Sequence, residues 1–321
     1  MAKLNTLQAT ALNTDAVSNI DAALNTDAAS AKLLSARRQY WQGLAWGMLG
    51  VLMFSGGIPA TKLAVAELPS IFVGAGRALV AALLSLLLLL LLNQPLPKRQ
   101  HWNGLLVVAF GAVFAYPVLS AIAMQTVDAS HGTLVSSIMP LFTAIFGAWL
   151  SGQWPRAGFW LSALAGTAAV MLYASAQAQG SLASGDLWLL LACFCCGLSY
   201  AKGALLARQM GSWQVICWAL VLSLPILLPL CWYTRPEQLN VSAQGWFGFA
   251  YLSVFSMFLG FFAWYKGLAM GGVAQISQLQ LLTPFLAFSA AALWLGESIS
   301  ALEWALAVFV VAAIAVGRKL A

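Results

Sequence analysis

The chain has 321 residues, of which 62% are hydrophobic and only 7% charged, with a formal net charge of +6 at pH 7. An ordinary soluble domain carries about 25% charged residues, and a mean hydropathy of +0.86 excludes a soluble protein with a large core. The run IFVGAGRALVAALLSLLLLLLL at 71–92 by itself matches the roughly 20 residues that cross hydrocarbon as a helix, and no alternating segments of a β-barrel are seen.

Residues 1–39 stand apart from the rest of the chain. They are rich in Ala, Asn, Thr, Asp and Ser and contain ALNTDA twice, at 11–16 and 23–28. Such a segment buries too little apolar surface to fold alone and reads as a disordered tail. It has no apolar core or cleavage site of a secretory leader, so the first span is expected to direct insertion.

Candidate spans follow in order near 42–65, 70–92, 103–125, 129–150, 157–175, 186–207, 213–233, 244–268, 272–295 and 301–317. The connections are short, leaving hardly any chain for a catalytic domain. With a cytoplasmic N-terminus, Lys32, Arg37, Arg38, Lys98, Arg99, Arg156, Arg208, Arg318 and Lys319 all fall inside, and Arg235 is the outer exception. Glu67, Asp128, Asp186, Glu237 and Glu297 fall on outer connections, and no acid lies deep in a span. Positive charge gathers on the cytoplasmic side of membrane proteins. Both termini are therefore expected in the cytoplasm of a bacterial-type inner membrane, and the net charge needs no nucleic acid to explain it.

Five cysteines, Cys193, Cys195, Cys196, Cys217 and Cys231, lie within the spans. Their spacing is not that of a metal or redox motif, and packing is the expected role. His101 and His131 have no companions that suggest metal or triad chemistry. Neither catalytic residues nor a cofactor are expected.

The organising feature is an internal repeat. With Pro140 set against Pro284, Gly152 meets Gly296, Gln153 meets Glu297 and Trp160 meets Trp304. With Lys62 set against Lys202, Gly57 meets Gly197. The offsets, 144 and 140, nearly agree. The fold expected is an all-α integral membrane protein of ten transmembrane helices in two five-helix repeats, at 40–178 and 179–321. An odd number of spans per repeat inverts the second half, the arrangement by which transporters alternate access around a midplane site.

The pattern resembles the EamA-type members of the drug/metabolite transporter superfamily over about residues 44–317. The residues that carry it are Thr61 and Lys62, Arg77 with Ala78 and Leu79, Pro140 with Gly152, Tyr265 with Gly267 and Leu268, Pro284, and Gly296 with Glu297. Gln153 departs from it, standing where the family often has Glu. The resemblance implies secondary transport of small metabolites, commonly export of amino acids or related compounds.

Charged groups inside a membrane are costly and face a cavity or a partner. Lys62, late in the first span, and Lys202, its inverted counterpart, fit two roles. Each snorkels its ammonium to the nearer interface, or lines a vestibule that attracts an anion or forms a gate with loop acids such as Glu67. Arg77 is expected in a gating or structural ion pair ahead of direct substrate binding. Gly56, Gly57 and Pro59, with Gly197, Pro140 and Pro284, fit hinges or close helix contacts. Trp41, Trp102, Trp154, Trp213, Trp246 and Trp304 lie near span ends, as interfacial anchors do. Tyr116, Ser136, Tyr200, Trp264, Tyr265, Gln278 and Gln280 are candidates for a cavity wall with an apolar body and a few hydrogen-bonding groups.

The function expected is export of amino acids or similar polar metabolites by alternating access. The alternatives are exchange of organic anions or phosphate esters, with Lys62, Lys202 and Arg77 as ligands, and a membrane scaffold or sensor. The expected partners are a small-molecule substrate, the bilayer and a coupling proton or other ion. The oligomeric state stays open.

Overall fold

A computed structural model describes residues 34–177, 184–237 and 240–296, with scattered positions from 298 to 313. The repetitive tail expected at 1–39 thus lies outside the described residues up to position 33, and so does much of the tenth span. All regular structure among the described residues is helical. This is the form in which a chain without water can satisfy every backbone group from within.

The helices are α1 (Leu34–Val65), α2 (Ser70–Leu91), α3 (Arg99–Ala123), α4 (129–151), α5 (Ala157–Gln177), α6 (Ser184–Met210), α7 (Ser212–Tyr233), α8 (Ala243–Gly271) and α9 (Val273–Leu295). Seven of these are long and apolar enough to span a bilayer, and α4 and α5 contribute the shorter apolar stretches Met139–Ser151 and Ala157–Ala169. The helix of the first span already runs at Leu34, eight residues before the start read from hydropathy. Helical geometry continues past the hydrophobic boundary because Arg37 and Arg38 are good helix formers.

Interruptions repeat in register between the two halves. A π-helical turn occupies Ala109–Ala115 of α3 and another Leu252–Leu259 of α8. The first half of α4 ends at Ser136 and a new helix starts at Met139, with Pro140 in its first turn. In α9 a 3-10 segment, Gln278–Leu282, precedes a helix with Pro284 in its first turn. Proline suits such starts because its missing N–H has no partner there in any case. Both helices close on a left-handed glycine, Gly152 and Gly296, each at φ 69°, the conformation only glycine adopts freely. The two-repeat architecture inferred from Pro140 and Pro284 is thus present in the backbone.

Contacts between the halves run along α2 with α7, α3 and α4 with α6, and α1 with α8. Where α1 meets α8, a Cβ on Gly43 would come 2.6 Å from Gly271 N, and one on Gly267 2.6 Å from Gly47 N. Backbone therefore packs on backbone at the end of the bundle that carries the 92–98 and 152–156 connections, called here the far face. The inverted counterpart lies at the near face, beside connections 66–69 and 124–128, where Gly185 of α6 packs against Ala123, Thr126 and Val127. Trp41, Trp102, Trp154, Trp246 and Trp304 are all exposed near helix ends.

Candidate functional site

Apolar helices leave few polar side chains, and those few converge. A cavity of about 740 Å³, including its open mouth, is lined from the first repeat by Phe54, Gly57, Ile58 and Thr61 of α1, Arg77 of α2, Tyr116, Pro117 and Ser120 of α3, and Thr133, Ser136, Ser137 and Met139 of α4 and the break that follows its first half. The second repeat adds Tyr200, Ser256, Met257, Phe261, Gln280 and Thr283.

The break in α1 helps to shape it. Pro59 has no N–H to offer the helix, and the turn at Gly56 divides α1. Tyr251 donates its hydroxyl to the Met53 carbonyl at 3.1 Å. A Cβ on Gly56 would lie 2.6 Å from that same hydroxyl, so the contact depends on a bare Cα. Gly57, one residue on, lines the cavity, and a Cβ there would make an ordinary van der Waals contact with Ser256 Oγ at 3.6 Å. At mid-depth the floor is aromatic. Tyr200 stacks on Phe54 at 6.3 Å between centroids and meets Phe261 edge-on at 5.8 Å.

Arg77 is 3% exposed. Its Nη2 donates to Ser120 Oγ at 3.2 Å, and Ser120 Oγ in turn donates to the Pro117 carbonyl at 3.3 Å. Arg77 Nε, Thr133 Oγ1 and Gln280 Oε1 are buried without a protein partner. Among the described residues no carboxylate lines the cavity and no acid pairs with Arg77. The expected gating ion pair is therefore not found among the described residues. A guanidinium remains charged, and a buried charge without a counter-ion costs several kcal/mol.

Of the residues singled out in the sequence, Arg77, Tyr116, Ser136, Tyr200, Gln280 and Gly57 meet here. Trp264, Tyr265 and Gln278 are buried but do not line the cavity. Trp264 and Tyr265 stand behind Tyr200, with ring centroids 5.6 and 6.4 Å from it. Helical spacing explains the difference, because Phe261 takes the lining position on α8 and the residues three and four further on fall one turn deeper. Gly197 sits in unbroken helix, where a Cβ would come 2.7 Å from Phe142 Cβ.

Lys62 stands at the near-face rim. Its Nζ donates to the Val127 carbonyl at 2.8 Å and lies 3.7 Å from Asp128 Oδ1. Glu67, the acid named as its partner from the sequence, instead accepts from the backbone N–H of Ser242 at 2.6 Å and from the Ser242 hydroxyl. Those bonds hold its carboxyl below the usual glutamate value. Lys202 lines neither this cavity nor a second one of about 850 Å³ at the far face, bordered by Ser151, Gln153, Trp154, Arg208 and Gln275. The cation at that mouth is Arg208, whose Nε donates to the Ala269 carbonyl at 3.0 Å.

One pair escaped sequence reasoning. Asp186, read as an outer-connection acid, lies in the first turn of α6 and is 2% exposed. His131 Nε2 of α4 approaches its Oδ1 to 2.7 Å. Asp186 thus lies at the start of its span, as expected of an acid beside a connection, but is covered by protein. The amide-rich helix start favours a carboxylate, and His131 joins it to the opposite repeat.

The fold and the cavity can now be set beside known proteins. The sequence profile of the EamA-like transporter family matches twice, at residues 41–175 and 183–317. The chain is 42% identical over 276 residues to "Uncharacterized transporter YdeK" of Bacillus subtilis (strain 168), covering 86% of this chain and 96% of that protein. It is 25% identical over 257 residues to "Protein PecM" of Dickeya dadantii (strain 3937), covering 76% and 84%. A solved structure named "Crystal structure of protein" superposes with a TM-score of 0.67 at 18% identity, over 87% of this chain and 99% of that one, a likeness of fold. Two family matches in tandem coincide with the two sets of repeated helix breaks, and the chain belongs to the EamA-like transporter family.

Proposed function

We propose that this transporter exports amino acids or similar small polar metabolites across a bacterial-type inner membrane by alternating access. The observation that carries the proposal is the cavity between the two inverted repeats. It offers an aromatic floor for an apolar side chain and a wall of hydroxyl, amide and guanidinium groups for a polar backbone. Such mixed lining suits a small zwitterion. In this reading Lys62 with Asp128 acts as a gate at the near mouth and Arg208 at the far one. Gly56 with Pro59, Pro140 and Pro284 mark the bending points.

Lys98, Arg99, Arg156 and Arg208 border the far-face connections, whereas the near face carries Glu67, Asp128 and Glu237 with Arg235. The positive-inside tendency supports a cytoplasmic far face, and with it both termini in the cytoplasm. Exchange of organic anions is the second reading, favoured by the unpaired Arg77. Lys62 is a poorer anion ligand than Arg77 because a carbonyl and a carboxylate already engage it.

The test is counterflow in proteoliposomes holding the purified chain, with a panel of labelled amino acids, organic acids and phosphate esters. Saturable exchange of one or more amino acids, with none for protein-free vesicles, supports the proposal. Exchange confined to organic acids or phosphate esters replaces it with the second reading, and no exchange of any solute overturns transport of these classes.

A further inference from the structure

The sequence placed Arg77 in an ion pair, but no described acid pairs with it, and it lines the cavity. We infer that Arg77 is a binding residue for a carboxylate on the transported molecule, with Ser120 as its positioning residue. The inference rests on the transport reading above and narrows its substrate class.

Three observations carry it. Arg77 is almost wholly buried, and its Nε is a buried donor without a protein acceptor. None of the described residues that line its cavity is acidic. Its orientation is fixed by Ser120, because Nη2 donates to Ser120 Oγ at 3.2 Å while Ser120 donates to the Pro117 carbonyl at 3.3 Å, leaving the serine oxygen free to accept.

In a guanidinium, Nε–H and the neighbouring Nη hydrogen lie along one edge. Their spacing matches the two oxygens of a carboxylate, so a planar acid docks with two parallel charge-assisted bonds. A neutral amide or ester at the same place offers one acceptor oxygen and no charge. Around this anchor, Gln280 Oε1 is a buried acceptor without a partner, and the faces of Tyr200 and Phe261 line the floor. An ammonium group is served by an amide oxygen and aromatic faces, so a zwitterion has acceptors as well as donors. A lipophilic cation lacking a carboxylate meets the guanidinium with like charge and is rejected.

The experiment compares acids with their own amides on the full chain in detergent, reading ligand-dependent thermal stabilisation. The probes are L-leucine, L-threonine and L-phenylalanine with their amides, and isovalerate with isovaleramide. Acids are expected to stabilise at concentrations at least about tenfold lower than their amides. Arg77→Gln removes that preference, and Ser120→Ala narrows it. If Arg77→Gln does not fold, Arg77→Lys tests the same edge: it keeps the charge without the fork, and the acid preference shrinks while amide binding stays unchanged.

Equal stabilisation by acids and amides, or an acid preference that survives Arg77→Gln, overturns the assignment and leaves the transport reading in place. Stabilisation by isovalerate and by none of the amino acids upholds Arg77 while removing the amino-acid reading. If no acid stabilises the chain, both fall.

Discussion

The two repeats share a backbone and differ in chemistry. π-turns, helix restarts at Pro140 and Pro284, and left-handed caps at Gly152 and Gly296 recur in register. The side chains on that frame do not. The first repeat gives the cavity its guanidinium and most of its hydroxyls, whereas the second gives the floor its Tyr200, Phe261 and Gln280. The position matching Arg77 at an offset of 140 is Cys217, fully buried in the apolar core. Symmetry therefore supplies the frame, and asymmetry places the guanidinium of the cavity in the first repeat.

The two ends of the bundle differ in the same way. At the near face the halves are joined by polar contacts, namely His131 with Asp186 and Glu67 with Ser242. At the far face Gly43 and Gly47 pack against Gly267 and Gly271. Substitutions should therefore separate the two ends. His131→Ala should have the largest effect, about 3 kcal/mol, because it removes a partner from a buried carboxylate. A clear fall in Tm in detergent checks it, and an unchanged Tm would break the comparison.

Gly267→Ala comes next. Its Cβ would meet the Gly47 backbone at 2.6 Å, and overpacking of this kind costs about 1–3 kcal/mol. The counterpart Gly185→Ala should cost less, because the atom nearest its Cβ is the Thr126 hydroxyl at 2.5 Å, on a side chain that can turn aside. Equal losses of Tm for the two variants would remove the distinction between a backbone joint and a side-chain joint.

Gly57 sharpens the comparison within the cavity. Gly57→Ala should leave Tm unchanged, since its Cβ has 3.6 Å to the nearest atom. Gly57→Phe should also fold but lower substrate flux at least about tenfold, a loss of ~1.4 kcal/mol in binding. The matched change Gly197→Ala should instead lower Tm, because that glycine lies against Phe142. The smallest effect concerns Glu67. The folded chain favours its charged form, so its bonds to Ser242 add stability at neutral pH. That gain fades as pH falls below the ordinary glutamate value of about 4.3 and through the lowered one. Hydrogen exchange at the Ser242 and Gly245 amides should differ between the parent and Glu67→Ala near pH 7 and converge in acid.

Much of the fold is legible in the chain itself. Apolar runs set the class, and the match of Pro140 with Pro284 marks the repeat. Tyr116, Ser136, Tyr200 and Gln280 stand out because polar groups inside spans need a purpose. Other features have no local signal. Trp264 and Tyr265 share a helix face with Phe261 and lie one turn further along, a difference in depth that hydropathy does not register. His131 and Asp186 are 55 residues apart in sequence, and their meeting depends on how α4 leans on α6. Lys202 matches Lys62 by register, yet Arg208 reaches the equivalent carbonyl segment because its longer side chain starts nearer the helix end.

The joint of α1 and α8 has a mechanical consequence. Four glycines leave nothing between the two backbones that could change rotamer, so the helices there rotate about one another more readily than they part. If the proposed alternating access turns the helices about this joint, motion grows with distance from it. From Gly47 to Gly57 is roughly 15 Å along a helix. A swing of about 10° at the far face therefore carries the cavity edge of α1 by about 3 Å, near the diameter of a water molecule, while the pivot itself scarcely moves.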